Sequence, residues 1–379
     1  MFGEVPSNTR TDRLVAYFQS SRTFLELLAD PTLGACSAWQ YMLQYAPDEC
    51  CALGYTARVL EHITRGLLHK VPHLRSAVTE CRQVTDSLND VSLVDQGWHL
   101  SLPDHATVRT ARVLFATGCV PAIQNYHVTA DQSAHGTESS RDPTVIPLEA
   151  TFNASELTRV IQQHTRVAVV GSSHSALLTV MNIVRLIEQD HYQGEVWLVH
   201  RSPLKFMTPL ANGEALHFYD GLKGPVGEWA RDQLLTGKCP RTRVVSVTDN
   251  ATCQNWYRTL QQVTGVIYAV GYDRTPLPTL WCRASTSEDW TLVDDAQLSH
   301  DVDTCQLLHP SVPLSGLFGL GVAFPARHVD STGHVQAAIG LPNFMHASIV
   351  NYRLWLGSES RASAVTASAA QLDGSEACK

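Results

Sequence analysis

The stretch RVAVVGSSHSALLTVMNIV, residues 166–184, leaves a folding chain few options. Its first five residues are an apolar, β-branched run that reads as a buried strand. Gly171 ends that run, and Ala176, Leu177, Val180, Val184 and Ile187 then recur at helical spacing, laying an apolar stripe along one face. No linker separates the two periods. A strand that turns into an amphipathic helix through one glycine is a building block of α/β proteins.

In a dinucleotide-binding βαβ unit the first glycine permits the tight turn, the second lets the backbone approach the pyrophosphate, and the third keeps helix and strand close. This chain offers Gly171, Ser173 and Ala176 at those places. Both replacements are small, and Ser172, Ser173 and Ser175 add hydroxyls at a helix N-terminus, where anions are favoured. His174 lies in the same turn; it either meets nucleotide phosphates or, as the plainer expectation, points into solvent or caps the helix. The motif alone also fits an ordinary strand-to-helix turn, so both readings stay open. The next apolar strand, GEVWLVHRS, ends in His200, Arg201 and Ser202 instead of the Asp or Glu that would hold the ribose hydroxyls of NAD. Arg201 offers a planar fork to a 2′-phosphate, which favours NADP; a solvated strand-end arginine is the alternative.

Charge narrows the ligand class. With 28 Lys plus Arg against 36 Asp plus Glu the net charge is −8, so nothing draws the whole molecule to nucleic acid or anionic lipid. An anionic small molecule must be held by local geometry. No window approaches the roughly 18 apolar residues of a membrane span. The start MFGEVPSNTR lacks the apolar core of a signal peptide. The expectation is a soluble cytoplasmic protein with a small-molecule substrate and no nucleic-acid or membrane partner. The ten cysteines form no C-x-x-C pair, and none of the 17 histidines falls in an H-x-x-x-H pattern beside a Glu, so buried thiols and no metal site are expected.

Along the chain, residues 11–29 and 46–69 read as helices, with Cys50 and Cys51 as packing residues in the second. The runs SAVTECRQV, SLVDQGWHLSL, ATVRT and ARVLFATG then suggest a small meander ending in a buried strand. Residues 131–147 are polar and read as a linker. A second α/β block follows, from residue 151 through GVIYAVGYDRTPLP. After it come an apolar strand broken by glycines, SGLFGLGVAFP, a helix over NFMHASIVNYRLWL, and a Ser- and Ala-rich tail expected to be disordered.

With FATG at residues 115–118, GSSHSA at 171–176 and YAVGYDRTP at 268–276, the chain resembles flavoproteins with two dinucleotide-binding domains. It is similar to the flavin-containing monooxygenases, the ornithine and lysine N-monooxygenases and the pyridine nucleotide-disulfide oxidoreductases. The resemblance implies an α/β fold of FAD/NAD(P)-binding, glutathione-reductase-like Rossmann domains, with FAD and NADPH as cofactors. The implied division is an N-terminal FAD part over 1–150, an NADPH domain over 151–280, a C-terminal FAD part over 281–356 and a tail over 357–379. Carried over residue by residue, Ala116, Thr117 and Gly118 end a strand beside the FAD, Gly319 and Gly321 return the chain to the flavin, and Val84 lies near the adenine. Ser7, Asn8 and Thr9 resemble the loop on the isoalloxazine side, and Gly271 closes the NADPH domain.

Two departures qualify the resemblance. No G-x-G-x-x-G precedes FGEVPSNT, so the first FAD βαβ unit is missing, and Gly321 is followed by Val322 where many relatives carry Asp. The expectation is that Met1 is an internal start of an incomplete gene model, not that the cofactor grip is lost. The absence of a dithiol speaks against the disulfide-reductase branch, whereas a monooxygenase needs no side-chain nucleophile, only binding and exclusion of water. The resemblance therefore implies an oxidoreductase in which hydride passes from NADPH to FAD, followed by N- or S-oxygenation of a small substrate. A non-catalytic NADP-binding or interaction protein is the rival, and a flavin-free NAD(P) dehydrogenase a weaker third.

Overall fold

The computed structural model describes residues 9–46, 49–73, 76–86, 95–103, 105–122, 143–247, 259, 261–283 and 289–357. They fall into two compact units, one built from residues 1–73 and 121–272, the other from 74–120 and 273–379. The helices at the start of the chain thus group with the second α/β block.

The first unit is organised by a five-stranded sheet in the order Thr242–Ser246, Glu195–His200, Arg166–Val170, Gly265–Tyr268, Thr144–Val145. All its pairings are parallel. The polar stretch read as a linker therefore contributes an edge strand, and Ile146 behind it is buried; residues 131–142 lie outside the described residues. The helix His174–Glu188 crosses over from the second-block strand, burying Leu177, Met181 and Ile183 at 2% exposure or less. Each such side chain contributes on the order of 1.5–3 kcal/mol.

The opening helical stretch divides into Thr11–Gln19 and Arg22–Leu28, because the Ser21 side chain accepts from the Phe24 N–H and starts a new helix. A helix over Ser37–Met42 follows, and the expected second helix begins only at Leu53 and runs to Lys70. Its delay has a visible cause. The Thr11 N–H and hydroxyl both donate to the Glu49 carbonyl, and that hydroxyl accepts from the Cys51 N–H at 2.9 Å. This tie pulls Cys50 and Cys51 out of the helix.

The second unit carries a five-stranded sheet in the order Trp290–Leu292, Thr279–Arg283, Glu80–Asp86, Asp95–Ser101, Thr107–Thr110, parallel only where Glu80–Asp86 meets Thr279–Arg283. A separate parallel pair joins Val113–Phe115 to Leu317–Gly319. Trp98, fully buried, ties the meander to the later chain by donating from Nε1 to the Ser315 carbonyl at 2.9 Å. Leu341–Leu356 forms the last helix, closed by Gly357 at φ +81°.

Candidate functional site

The strand order of the first unit contains a topological switch point. Arg166–Val170 has Glu195–His200 on one side and Gly265–Tyr268 on the other, and the chain order reverses there. Ligands of open α/β sheets bind outside the carboxyl ends of the strands at such a switch point. Gly171 and the residues after Tyr268 occupy that end. The Gly171 N–H donates to the Val199 carbonyl at 2.9 Å, and the Ala269 N–H to the Val170 carbonyl at 2.8 Å.

Gly171 has a structural reason to be glycine. Its φ is +144°, and a Cβ there would sit 2.3 Å from the Ala269 carbonyl oxygen and 3.1 Å from the Ala176 Cβ. Ala176 is fully buried, so its small side chain holds helix against strand, the role expected of the third position of the motif. Ser173 is the exposed N-cap of the helix, and its side chain makes no capping bond. The first N–H groups of the helix accordingly lack a side-chain cap.

His174 departs from its plainer expectation. It does not cap the helix and is only partly exposed: its Nδ1 is buried, with no hydrogen-bond partner among the described residues. Burial, with the positive charge of Lys223 adding to it, pushes the imidazole down to about 4. Lys223 is itself drawn down by burial and then by Arg13; its ammonium donates to the Phe218 carbonyl and lies 4.3 Å from the centre of the Phe218 ring. Sequence spacing gave no sign of Lys223, which reaches His174 only through the fold.

At the next strand end Arg201 and Ser202 are both exposed. The His200 Nδ1–H donates to the Ser202 carbonyl at 3.0 Å and shapes the turn that presents them. Gly271 has φ +118° and open space where a Cβ would be. The fold therefore gathers Gly171 to Ala176 at the switch point and sets Arg201, Ser202 and Gly271 at the ends of neighbouring chain segments of the same unit.

The second unit has a cleft of about 670 Å³, within the usual size of a small-molecule site. Ala116 and Thr117 line it beside Thr79, Cys81, Leu100 and Pro278. They follow directly on the strand Val113–Phe115, as the motif requires. Gly118 has φ +71° with nothing within 4 Å of its Cβ position, and its carbonyl accepts from the Thr275 N–H at 3.1 Å. Gly321, at φ +91°, is likewise open. Gly319 is different: a Cβ there would meet the Phe324 ring at 2.4 Å, so this glycine is explained by packing. Val84 pairs with Gly97 in the antiparallel ladder, and its side chain lies outside the described residues. Thr9 belongs to the first unit, while Ser7 and Asn8 lie outside the described residues.

Comparison with known proteins bears on the chemistry. No family model matches the chain. The chain is 27% identical over 358 residues to Monooxygenase AgnR1 of Paecilomyces divaricatus, covering 91% of this chain and 84% of that one. Among solved structures it is similar to L-lysine 6-monooxygenase from Pseudomonas syringae, at 15% identity and TM-score 0.48 over 83% of each chain. It is also similar to ornithine N-hydroxylase from Kutzneria sp. 744, at 15% identity and TM-score 0.48 over 91% of this chain and 86% of that one.

Proposed function

We propose that the protein is an FAD-dependent oxidoreductase that takes hydride from NADPH and acts as a monooxygenase on a small molecule. The observation that carries the reading is the first unit's turn: a parallel sheet whose switch point holds Gly171, an uncapped helix N-terminus and the unpartnered Nδ1 of His174. These groups suit a pyrophosphate, since exposed helix N–H groups and a buried unsatisfied nitrogen both gain from a bound acceptor. Arg201, in place of an acidic residue, suits the 2′-phosphate of NADPH. The monooxygenase relative, alike over nine-tenths of this chain, favours oxygenation over plain dehydrogenation.

The second unit fits a flavin. Ala116 and Thr117 open onto its cleft, and Thr79, Thr117 and Thr279 are the polar residues among its apolar walls. The open sides of Gly118 and Gly321 let a planar ligand approach the backbone. When bound, FAD supplies the redox chemistry that accepts hydride and activates dioxygen. The chain's own residues do the rest: Arg201 and the Gly171 turn bind and orient the nicotinamide nucleotide, and the apolar walls around Cys81 and Leu100 exclude water. Among the described residues no helix is long and apolar enough to cross a membrane. N- or S-oxygenation of the substrate is the downstream reaction.

The test is spectroscopic. Purified protein loaded with FAD should keep a flavin band after free cofactor is removed. NADPH should bleach that band without air, and oxygen should be consumed once air is readmitted. Bleaching without oxygen consumption would refute the monooxygenase reading, and a protein that retains no flavin would refute the oxidoreductase reading.

A further inference from the structure

Arg274, from the YDRTP segment, ends the short strand Tyr272–Arg274 and belongs to the second unit. Its side chain is 20% exposed, and its Nη2 donates to both the Asp295 carbonyl at 2.7 Å and the Asp295 Oδ1 at 2.6 Å. The guanidinium carbon lies 5.1 Å from the centre of the Phe324 ring. Phe324 is buried, fills the space beside Gly319, and meets the His300 ring edge-on at 5.8 Å. The His300 Nε2–H in turn donates to the Pro325 carbonyl at 3.0 Å. The residue after Arg274 bonds to the Gly118 carbonyl. Arg274 thus stands where the end of the FATG segment and the GLGVAFP segment meet.

One atom of this arrangement is left over. The Nε of Arg274 is buried and has no partner among the described residues, although a guanidinium offers five N–H donors and folded proteins seldom leave a buried one unmet. Asp295 engages Nη2, and of the three N–H groups beyond it the one on Nε is the buried donor left to be met by an acceptor. Gly118 and Gly321, on the two converging segments, both have open space on their Cβ sides. An acceptor atom held by a cation over an aromatic ring, with two open glycines on the adjoining segments, matches a planar ligand rich in carbonyl or phosphate oxygens.

We propose that Arg274 is a binding residue for the flavin, its Nε–H donating to a carbonyl or phosphate oxygen of that cofactor. This rests on the flavin reading above. The test titrates FAD into cofactor-free protein, following quenching of flavin fluorescence, for wild type, R274M, R274K and D295N, with the thermal melt of each cofactor-free chain recorded alongside. R274M and R274K should both weaken FAD about 10- to 100-fold, because neither supplies the Nε–H. D295N keeps that N–H and should stay within about threefold. The absorption maximum of bound flavin should move in R274K, even where its melt matches wild type.

R274K binding FAD as tightly as wild type, with an unchanged flavin spectrum, overturns the proposal. So does equal weakening by D295N and R274K, which would make Arg274 a strut for Asp295. Wild-type protein that binds no FAD removes the flavin reading itself, a separate outcome read from the first titration. R274K carries the decision if R274M does not fold.

Discussion

Lowering the pH from 7.5 to 5 should cost the first unit about 2 kcal/mol through His174 alone. Burial, reinforced by Lys223, holds this imidazole at about 4 against an ordinary 6.5. The unfolded chain therefore takes up a proton near 6.5, and the folded chain does so only near 4. Stability from this group is complete above 6.5 and falls as the pH drops through that window. The full gap corresponds to about 3 kcal/mol, of which about 2 is lost by pH 5. His174→Gln keeps a polar group of similar size that cannot charge. Urea unfolding of both chains at pH 7.5 and 5, followed by tryptophan fluorescence, isolates the effect as the difference between them, because carboxylates common to both cancel. Equal acid sensitivity of His174→Gln and wild type would falsify the reasoning.

Three further outcomes follow from the geometry. Gly171→Ala places a methyl 2.3 Å from the Ala269 carbonyl oxygen at a φ of +144°, and should destabilise the first unit by about 3 kcal/mol or more, read as a lower urea midpoint. Arg201→Glu should raise the KM for NADPH about 10- to 100-fold while leaving that for NADH within a few-fold, measured by initial rates under both cofactors. Trp98→Phe removes the donor to the Ser315 carbonyl from a fully buried position and should cost the second unit about 2 kcal/mol, measured by thermal or urea unfolding.

The parts legible in the sequence were those governed by local periodicity. The run from Arg166 to Val170 and the apolar stripe from Ala176 to Ile187 marked a strand, a turn and a helix, and the structure has a strand over Arg166–Val170 and a helix over His174–Glu188. FATG and GLGVAFP were legible as strand ends because apolar runs give way there to glycines; the strands stop at Phe115 and Gly319, and Gly118 and Gly321 just beyond them have positive φ. Features decided by distant partners were not legible. The Thr11 hydroxyl holds Cys51 out of a helix from forty residues away in sequence, and no local pattern encodes that bond. The Thr144–Val145 strand is too short for periodicity and exists because Gly265 and Val266 offer an open edge. At the candidate site, Gly171 and Ala176 could be placed by motif, whereas the burial of His174 and the approach of Lys223 came only with the fold. Gly319 shows the opposite hazard: a motif glycine whose immediate reason is the ring of Phe324.

The cysteines of the second unit bear on how this protein would endure its own chemistry. Cys81, on the wall of the cleft, and Cys282 are pushed up to about 12 by burial, and Cys305 to about 11. Peroxide attacks the thiolate, so thiols held this far from ionisation lie at the bottom of the ladder toward sulfenic and sulfinic acid. If the proposed flavin site is this cleft, hydrogen peroxide released there would meet a wall thiol that is protonated. The same three sulfurs should stay unlabelled by maleimide in the folded protein and become reactive together when the second unit unfolds, giving a covalent record of its opening.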